Sequence, residues 1–340
     1  MTSSERPDAA RGDASSSDRP DASRDDASRT LQRVREQIRK AVIGQREVVD
    51  QVLITLLSAG HALIEGVPGL GKTLLARALA RSFAAESRRV QFTPDLMPAD
   101  LVGHVLYDVK TGDMRLRRGP VFTHLLLADE INRAPAKTQA ALLEVMQERQ
   151  VTLEGDSLPV PAPFMTLATQ NPIEMEGTYP LPEAQLDRFL LNIRIDYPSE
   201  AEEIELVAFV TGGRVGDGLP VEGVESVASP EEILAAQRAA MATRVDERIR
   251  DYAVRIARAT RERPDVAIGA GPRGAIALIR AARAAALLAG RDFAIPDDVK
   301  GLARPALRHR IRLSPEADLE GRNPDAVLGD VLADVEAPRE

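Results

Sequence analysis

Residues 66–73 read GVPGLGKT, preceded by HALIE (61–65) and followed by LLARALARSFAA (74–85). The first five are a short apolar run that suits a buried strand, and the last twelve repeat apolar residues at helical spacing. Between them lies Gly-x4-Gly-Lys-Thr, the pattern of a loop that wraps phosphates. Gly66, Gly69 and Gly71 let the backbone turn its N–H groups inward, and the next helix offers its positive N-terminus to the same anion. Lys72 is expected to reach the β- and γ-phosphates, and the Thr73 hydroxyl a Mg²⁺ ion.

Outward from this loop, strand and helix alternate. RVQF (89–92), THLLLADE (123–130), PFMTLATQ (163–170) and FLLNIRI (189–195) are further apolar runs, with AKTQAALLEVMQER (136–149) helical among them. The alternation predicts a five-stranded parallel sheet between two helical layers, with phosphate bound at the strand carboxyl ends. Two segments interrupt it, Asp100 to Pro120 and Gln150 to Pro163; the second reads as a hairpin turning near Glu154-Gly155-Asp156. Past Tyr197-Pro198 the apolar spacing is helical throughout, as in VDERIRDYAVRIARATRE (245–262). The expected organisation is a tail over 1–29, an αβα domain over 30–197, an all-helical domain over 198–313 and a loosely packed extension over 314–340.

The tail contains no Leu, Ile, Val or Phe and repeats RPDA at 6–9 and 19–22, a composition that predicts disorder. The chain of 340 residues has no cysteine, which excludes disulfides, thiolate metal sites and a cysteine nucleophile. With no uncharged apolar run near 18 residues and no apolar cluster before Leu31, neither a membrane span nor a signal peptide is read, and a cytoplasmic location is expected. A net charge of −8 and 3% aromatic content argue against a coat on nucleic acid.

Five further residues bear on phosphate chemistry. THLLLADE ends in Asp129 and Glu130, placing a metal-holding acid and a water-polarising acid at a strand tip. TLATQNP (166–172) ends its strand at Asn171, which could orient the attacking water, although an Asn-Pro turn alone would also account for it. Arg188, in EAQLDRF (183–189), either makes a local ion pair or reaches a neighbour's nucleotide. Arg273 opens a helix beside Pro272, where a cation opposes the helix dipole and calls for an anionic partner.

GVPGLGKT, LLLADE, TQNP, EAQLDRF and GPRG, in this order, resemble the AAA+ ATPases. VQFTPDLMPADLVG (90–103), GPVFTHLLLADEINRAPAKTQAALLEVMQERQVTLEG (119–155) and GTYPLPEAQLDRF (177–189) are similar to the MoxR family within them, over about residues 31–335. The resemblance implies an αβα core with a helical lid and ATP held with Mg²⁺ between them, in a homo-oligomeric ring, usually a hexamer. It implies that Gly66, Pro68, Gly69, Leu70, Gly71, Lys72, Thr73 and Leu74 meet the phosphates, and that Ile43, Gly44 and Gln45 line the adenine pocket. Thr73 and Asp129 would hold the metal, Glu130 would be the catalytic acid residue and Asn171 the first sensor. Arg188 would be the arginine finger, and Arg273 the second sensor, acting on its own or a neighbouring subunit's ATP. Gly271 stands where the family commonly has Ser, a change that leaves Arg273 in register. The family is associated with chaperone-like remodelling of protein clients, with metal insertion, and with a von Willebrand factor A domain protein acting in trans. A nucleic-acid motor or loader is the competing reading, resting on Arg115, Arg117 and Arg118 and on Arg308, His309, Arg310 and Arg312.

Overall fold

The structure, a computed structural model, describes residues 20–67, 69–108, 113–171, 177–212 and 221–338. The described residues open with helices α1 (Pro20–Ala41) and α2 (Arg46–Leu57), then β1 (Ala62–Glu65), α3 (Lys72–Ser82), β2 (Ser87–Gln91) and α4 (Pro98–Val102). A hairpin of β3 (Gly103–Asp108) and β4 (Asp113–Arg118) follows, then β5 (Leu125–Asp129), α5 (Ala136–Glu148) and the hairpin β6 (Gln150–Leu153) and β7 (Asp156–Pro159). β8 (Met165–Gln170), α6 (Glu183–Leu186) and β9 (Leu191–Arg194) complete the first domain. The lid comprises α7 (Glu200–Thr211), α8 (Pro230–Ala242), α9 (Glu247–Ala259), β10 (Val266–Ile268), α10 (Pro272–Leu288), α11 (Pro296–Leu307), β11 (Arg312–Leu313), α12 (Pro315–Leu319) and α13 (Pro324–Asp334).

The five expected strands form one parallel sheet in the order β2-β5-β8-β1-β9. β1, β5, β8 and β9 are apolar and buried because helices cover both faces of a parallel sheet. β2 stands at the edge, where Arg88 and Arg89 stay exposed, a composition that discourages pairing with another chain. Residues alternate between two cores. Ala62, Ile64, Leu127, Leu191 and Ile193 pack with α1, α2, α3 and the lid, while Leu63, Leu126, Ala128 and Ala168 pack with Leu142, Leu143 and Met146 of α5. The β6–β7 turn falls at Glu154-Gly155, both at positive φ (+50° and +91°), as a two-residue hairpin loop requires.

Three boundaries differ from the sequence expectation. Of the proposed tail, residues 1–19 lie outside the described residues, but 20–29 belong to α1. Ala27, one helical turn before Leu31, continues the stripe of Leu31, Val34, Ile38 and Ala41 into the core, so the helix extends past the end of the strongly apolar residues. The lid is helical apart from the antiparallel ribbon of β10 and β11. The segment from Ser314 is no loose extension. Val327, Leu328 and Val331 of α13 are fully buried, Asn323 caps the helix through the Ala326 N–H at 2.9 Å, and Asp325 pairs with Arg194 at 2.7 Å and with Arg308 at 2.9 Å. The polar residues that end the segment hide this, since its apolar stripe is only three residues wide.

This packing sets a stability test. Leu328→Ala removes a fully buried side chain and should destabilise the chain by about 2–5 kcal/mol in denaturant unfolding. Leu319→Ala, 90% exposed on the neighbouring helix, should change it by less than about 0.5 kcal/mol.

Candidate functional site

β1 ends at Glu65 and the chain turns through Gly66 to Gly71 into α3. Pro68 lies outside the described residues. Gly69 and Gly71 adopt φ of +89° and +79°, a region that side chains disfavour, and a Cβ on Gly66 would stand 2.7 Å from the Ile195 carbonyl oxygen. Gly71 is the N-cap of α3, so the unpaired N–H groups and positive end of that helix lie at the loop. Lys72 Nζ donates to the Gly66 carbonyl at 2.7 Å, across the loop. Desolvation pushes the Lys72 pKa down while Asp129 and Glu130 push it up, so the lysine faces both acids. Thr73 stands in the first turn of α3, Leu70 packs against the core and Leu74 is buried, anchoring both ends of the loop.

The acids sit at the tip of β5, two strands from β1 with β8 between. Asp129 Oδ1 accepts the Thr169 hydroxyl at 2.5 Å, and Oδ2 accepts Arg89 Nη2 at 2.7 Å. Glu130 takes a left-handed backbone conformation, φ +56° and ψ +51°, which is rare for a side chain this size and concentrates at functional sites. The turn separates the two carboxylates. Glu130 accepts Gln91 Nε2 at 2.7 Å and pairs with Arg133 at 3.1 Å, while its own N–H donates to Thr169 Oγ1 at 2.9 Å. Asn171 follows β8 directly and is 7% exposed; Pro172, which completes its motif, lies outside the described residues. The phosphate loop, the acids and Asn171 thus occupy the carboxyl ends of three adjacent strands, where α/β sheets bind ligands.

Ile43, Gly44 and Gln45 join α1 to α2 and face the link between the domains. Gln45 Nε2 donates to the Asp196 carbonyl at 3.0 Å, Gly44 at φ +77° lies against the Glu202 side chain, and Ile43 is half-buried. The same link touches the phosphate loop at Gly66, so this junction and the loop share one neighbour.

Arg188 and Arg273 are elsewhere. They line a cavity of about 360 Å³ together with Ala59, Gly60 and His61, the residues that lead into β1. Four strand residues span about 13 Å, so this cavity and the phosphate loop lie at opposite ends of β1. Arg273 Nη1 is 3.3 Å from Asp187, whose other oxygen accepts Arg310 Nε at 2.8 Å. Arg188 is exposed and meets no carboxylate among the described residues.

Sequence reasoning missed Thr169, Arg89, Gln91 and Arg133. Only Thr169 left a signal: TLATQNP holds a polar residue at an inward strand position, and such a hydroxyl needs a buried partner. The basic cluster at 308–312 is also not a free face. Arg310 is 4% and Arg308 10% exposed, each paired with an aspartate, and His309 bonds the Phe189 carbonyl at 3.0 Å.

A family model for the ATPase family associated with various cellular activities (AAA) matches residues 61–191, and one for the AAA lid domain matches 258–331. An uncharacterised protein of Bacillus subtilis, YeaC, is 45% identical over 303 residues, covering 89% of this chain and 93% of that protein. Chaperone MoxR1 of Mycobacterium tuberculosis is 43% identical over 319 residues, covering 91% and 83%. A crystal structure of a Cytophaga hutchinsonii protein, named as a candidate ATPase, superposes with a TM-score of 0.85 at 37% identity over 94% of this chain and 98% of that one. With the phosphate loop and strand-tip acids in place on this fold, the chain belongs to the MoxR family of AAA+ ATPases.

Proposed function

We propose that this chain hydrolyses ATP within a ring of identical subunits and uses the cycle to remodel protein partners. The observation that carries this reading is the division of the site. Lys72, Asp129, Glu130 and Asn171 gather at the strand carboxyl ends, while Arg188 and Arg273 stand at the far end of β1 with a solvent-open cavity. A nucleotide on the first group lies out of reach of the second within one chain. Stacking copies head to tail brings one chain's arginines to the next chain's phosphates, and repeating that contact around an axis closes a ring.

In this scheme the N-terminus of α3 and Lys72 hold the phosphates, and Ile43, Gly44 and Gln45 the base end. Thr73 and Asp129 would hold Mg²⁺, whose chemistry is to neutralise phosphate charge. The donor set fits that ion, which needs few protein ligands because water and phosphate supply the rest, and no cluster of three acidic or histidine ligands occurs among the described residues. Glu130 accepts the proton of the attacking water and Asn171 orients that water. Thr169 is a positioning residue, because its one hydroxyl ties the Asp129 carboxylate to the Glu130 backbone. Arg188 and Arg273, arriving from the neighbour, stabilise charge on the transferring phosphoryl group.

The remodelling role, a von Willebrand factor A domain partner and a contribution to metal insertion rest on kinship with MoxR proteins. A nucleic-acid motor is the less favoured reading, since Arg308, Arg310 and Arg312 are paired with Asp325, Asp187 and Glu183. Among the described residues no helix is long and apolar enough to cross a membrane.

Glu130→Gln should still bind ATP with Mg²⁺ but turn over slower by orders of magnitude, whereas Lys72→Ala should weaken binding itself; fluorescent-nucleotide titration and phosphate release separate the two. Thr169→Val leaves both of its partners unsatisfied and should cost about 1–3 kcal/mol in unfolding along with a loss of turnover. Arg188→Ala should bind ATP nearly normally while hydrolysis drops roughly 10³-fold. Mixed with Glu130→Gln it should recover activity, since mixed interfaces pair an intact Arg188 with an intact Glu130. Mixed rings, shown by subunit exchange, that stay as inactive as either parent would refute a trans-acting Arg188.

A further inference from the structure

The cavity that holds Arg188 and Arg273 contains more positive charge than those two residues supply. Five guanidinium groups and a single carboxylate line it, the other three being Arg149, Arg280 and Arg310. Asp187 is shared between Arg310 and Arg273, and among the described residues neither Arg149 nor Arg280 has a carboxylate partner. His61, on the same wall, adds no charge at neutral pH, because burial lowers its pKa to about 4. Desolvation and the nearby Arg149 push the Arg280 pKa down, and Arg310 is pushed the same way by desolvation, with Arg273 and Arg280 adding to it. Cations confined together without counter-charge form a concave site for an anion.

A structural account of Arg149 exists and must be distinguished. Its Nη2 donates to the Ala59 carbonyl at 3.0 Å, and Arg280 Nη2 donates to the Ser58 carbonyl and to the Ala59 carbonyl at 3.4 Å, so both satisfy carbonyls just beyond α2. Capping needs one cation, however, and here two converge on Ala59 despite their repulsion. Arg149 also occupies a left-handed conformation, φ +54°, at the end of α5, and its exposed guanidinium lines the same cavity as Arg188. The like-charge contact is offset if an anion enters from outside.

We infer that Arg149 is a third arginine acting in trans, contacting the phosphate tail of the nucleotide held by the adjacent copy alongside Arg188 and Arg273. Arg280 stands behind it and adds to the field. This rests on the ring reading given above, and a terminal phosphate bearing two or more negative charges is the ligand that such a cluster matches.

The absence of cysteine from the chain permits a direct test. A copy carrying both Lys72→Ala and Arg149→Cys binds nucleotide poorly through its own loop and has one thiol. It is mixed with unaltered copies and an ATP analogue bearing a thiol-reactive haloacetamide on the γ-phosphate. Labelling of the altered copy should rise about tenfold or more when unaltered copies are added, because they deliver the probe at high effective concentration. Labelling that does not depend on unaltered copies overturns the inference. Arg188→Cys in the same background is the reference: if it labels and Arg149→Cys does not, the third arginine is refuted while the ring stands, and if neither labels, both readings fall. In kinetics, Arg149→Ala should lower kcat about 10²-fold with ATP affinity and ring assembly retained, and Arg149→Lys should recover only part because it lacks the planar fork. A purely structural Arg149 would instead lower the unfolding midpoint and leave kcat per assembled ring unchanged.

Discussion

The Thr169 hydroxyl is the contact on which the catalytic end depends. It donates to Asp129 at 2.5 Å and accepts the Glu130 N–H at 2.9 Å, coupling β8 to the turn that follows β5. Without it, nothing else described holds the Glu130 N–H, and the residue's left-handed conformation would lack its backbone partner. That conformation is what aims two consecutive carboxylates in different directions, one toward Thr169 and Arg89 and one toward Gln91 and Arg133. Parallel pairing of β5, β8 and β1 then brings these groups to one edge, since in a parallel sheet all carboxyl ends share a side.

The opposite edge is organised by charge rather than by backbone. Among the described residues Asp187 is the one carboxylate lining the cavity there, and Arg310 uses most of its donors on the Asp187, Leu190 and Phe189 carbonyls as well as the Asp187 carboxylate. Such an arrangement fixes α6 and the start of β9 against the lid while leaving Arg188 exposed. An exposed, unpaired cation contributes little to the fold of its own chain.

Core and lid share a continuous apolar cluster running from α1 and the sheet through α8, α10, α11 and α13, so the two domains do not have independent interiors. At the seam, polar contacts replace apolar ones. Glu65 accepts Gln170 at 2.7 Å and Asn192 at 2.8 Å, and Arg194 carries the network to Asp325 and thus to Arg308. Removing one member of such a partly buried network costs more than its pairwise contact, because the remaining charge loses its partner. Glu65 immediately precedes the phosphate loop and Arg308 belongs to the lid, so this network joins the loop's strand to the lid.

Much of this was legible in the residue order. The five strands, the hairpin at Glu154-Gly155 and the phosphate loop follow from local features, namely apolar runs, glycine placement and a helix start, which act over a few residues and survive without tertiary context. Asp129 and Glu130 were legible because a phosphate loop calls for acids at a strand tip, and LLLADE supplies two. What stayed hidden depends on contacts between residues far apart in the chain. Ala27 extends α1 only because the lid and α3 give it something to pack against, and α13 is anchored by Arg194, more than a hundred residues upstream. Thr169, Arg89 and Gln91 reach the acids across neighbouring strands, and strand neighbours cannot be read from order alone. Residue order alone points to the groups proposed to bind phosphate and activate water, since that reading needs only residue type and local backbone. Tertiary structure decided that Arg188 and Arg273 face away from their own phosphate loop, because the direction of a side chain relative to a distant loop is set only when the sheet and lid have closed around one core.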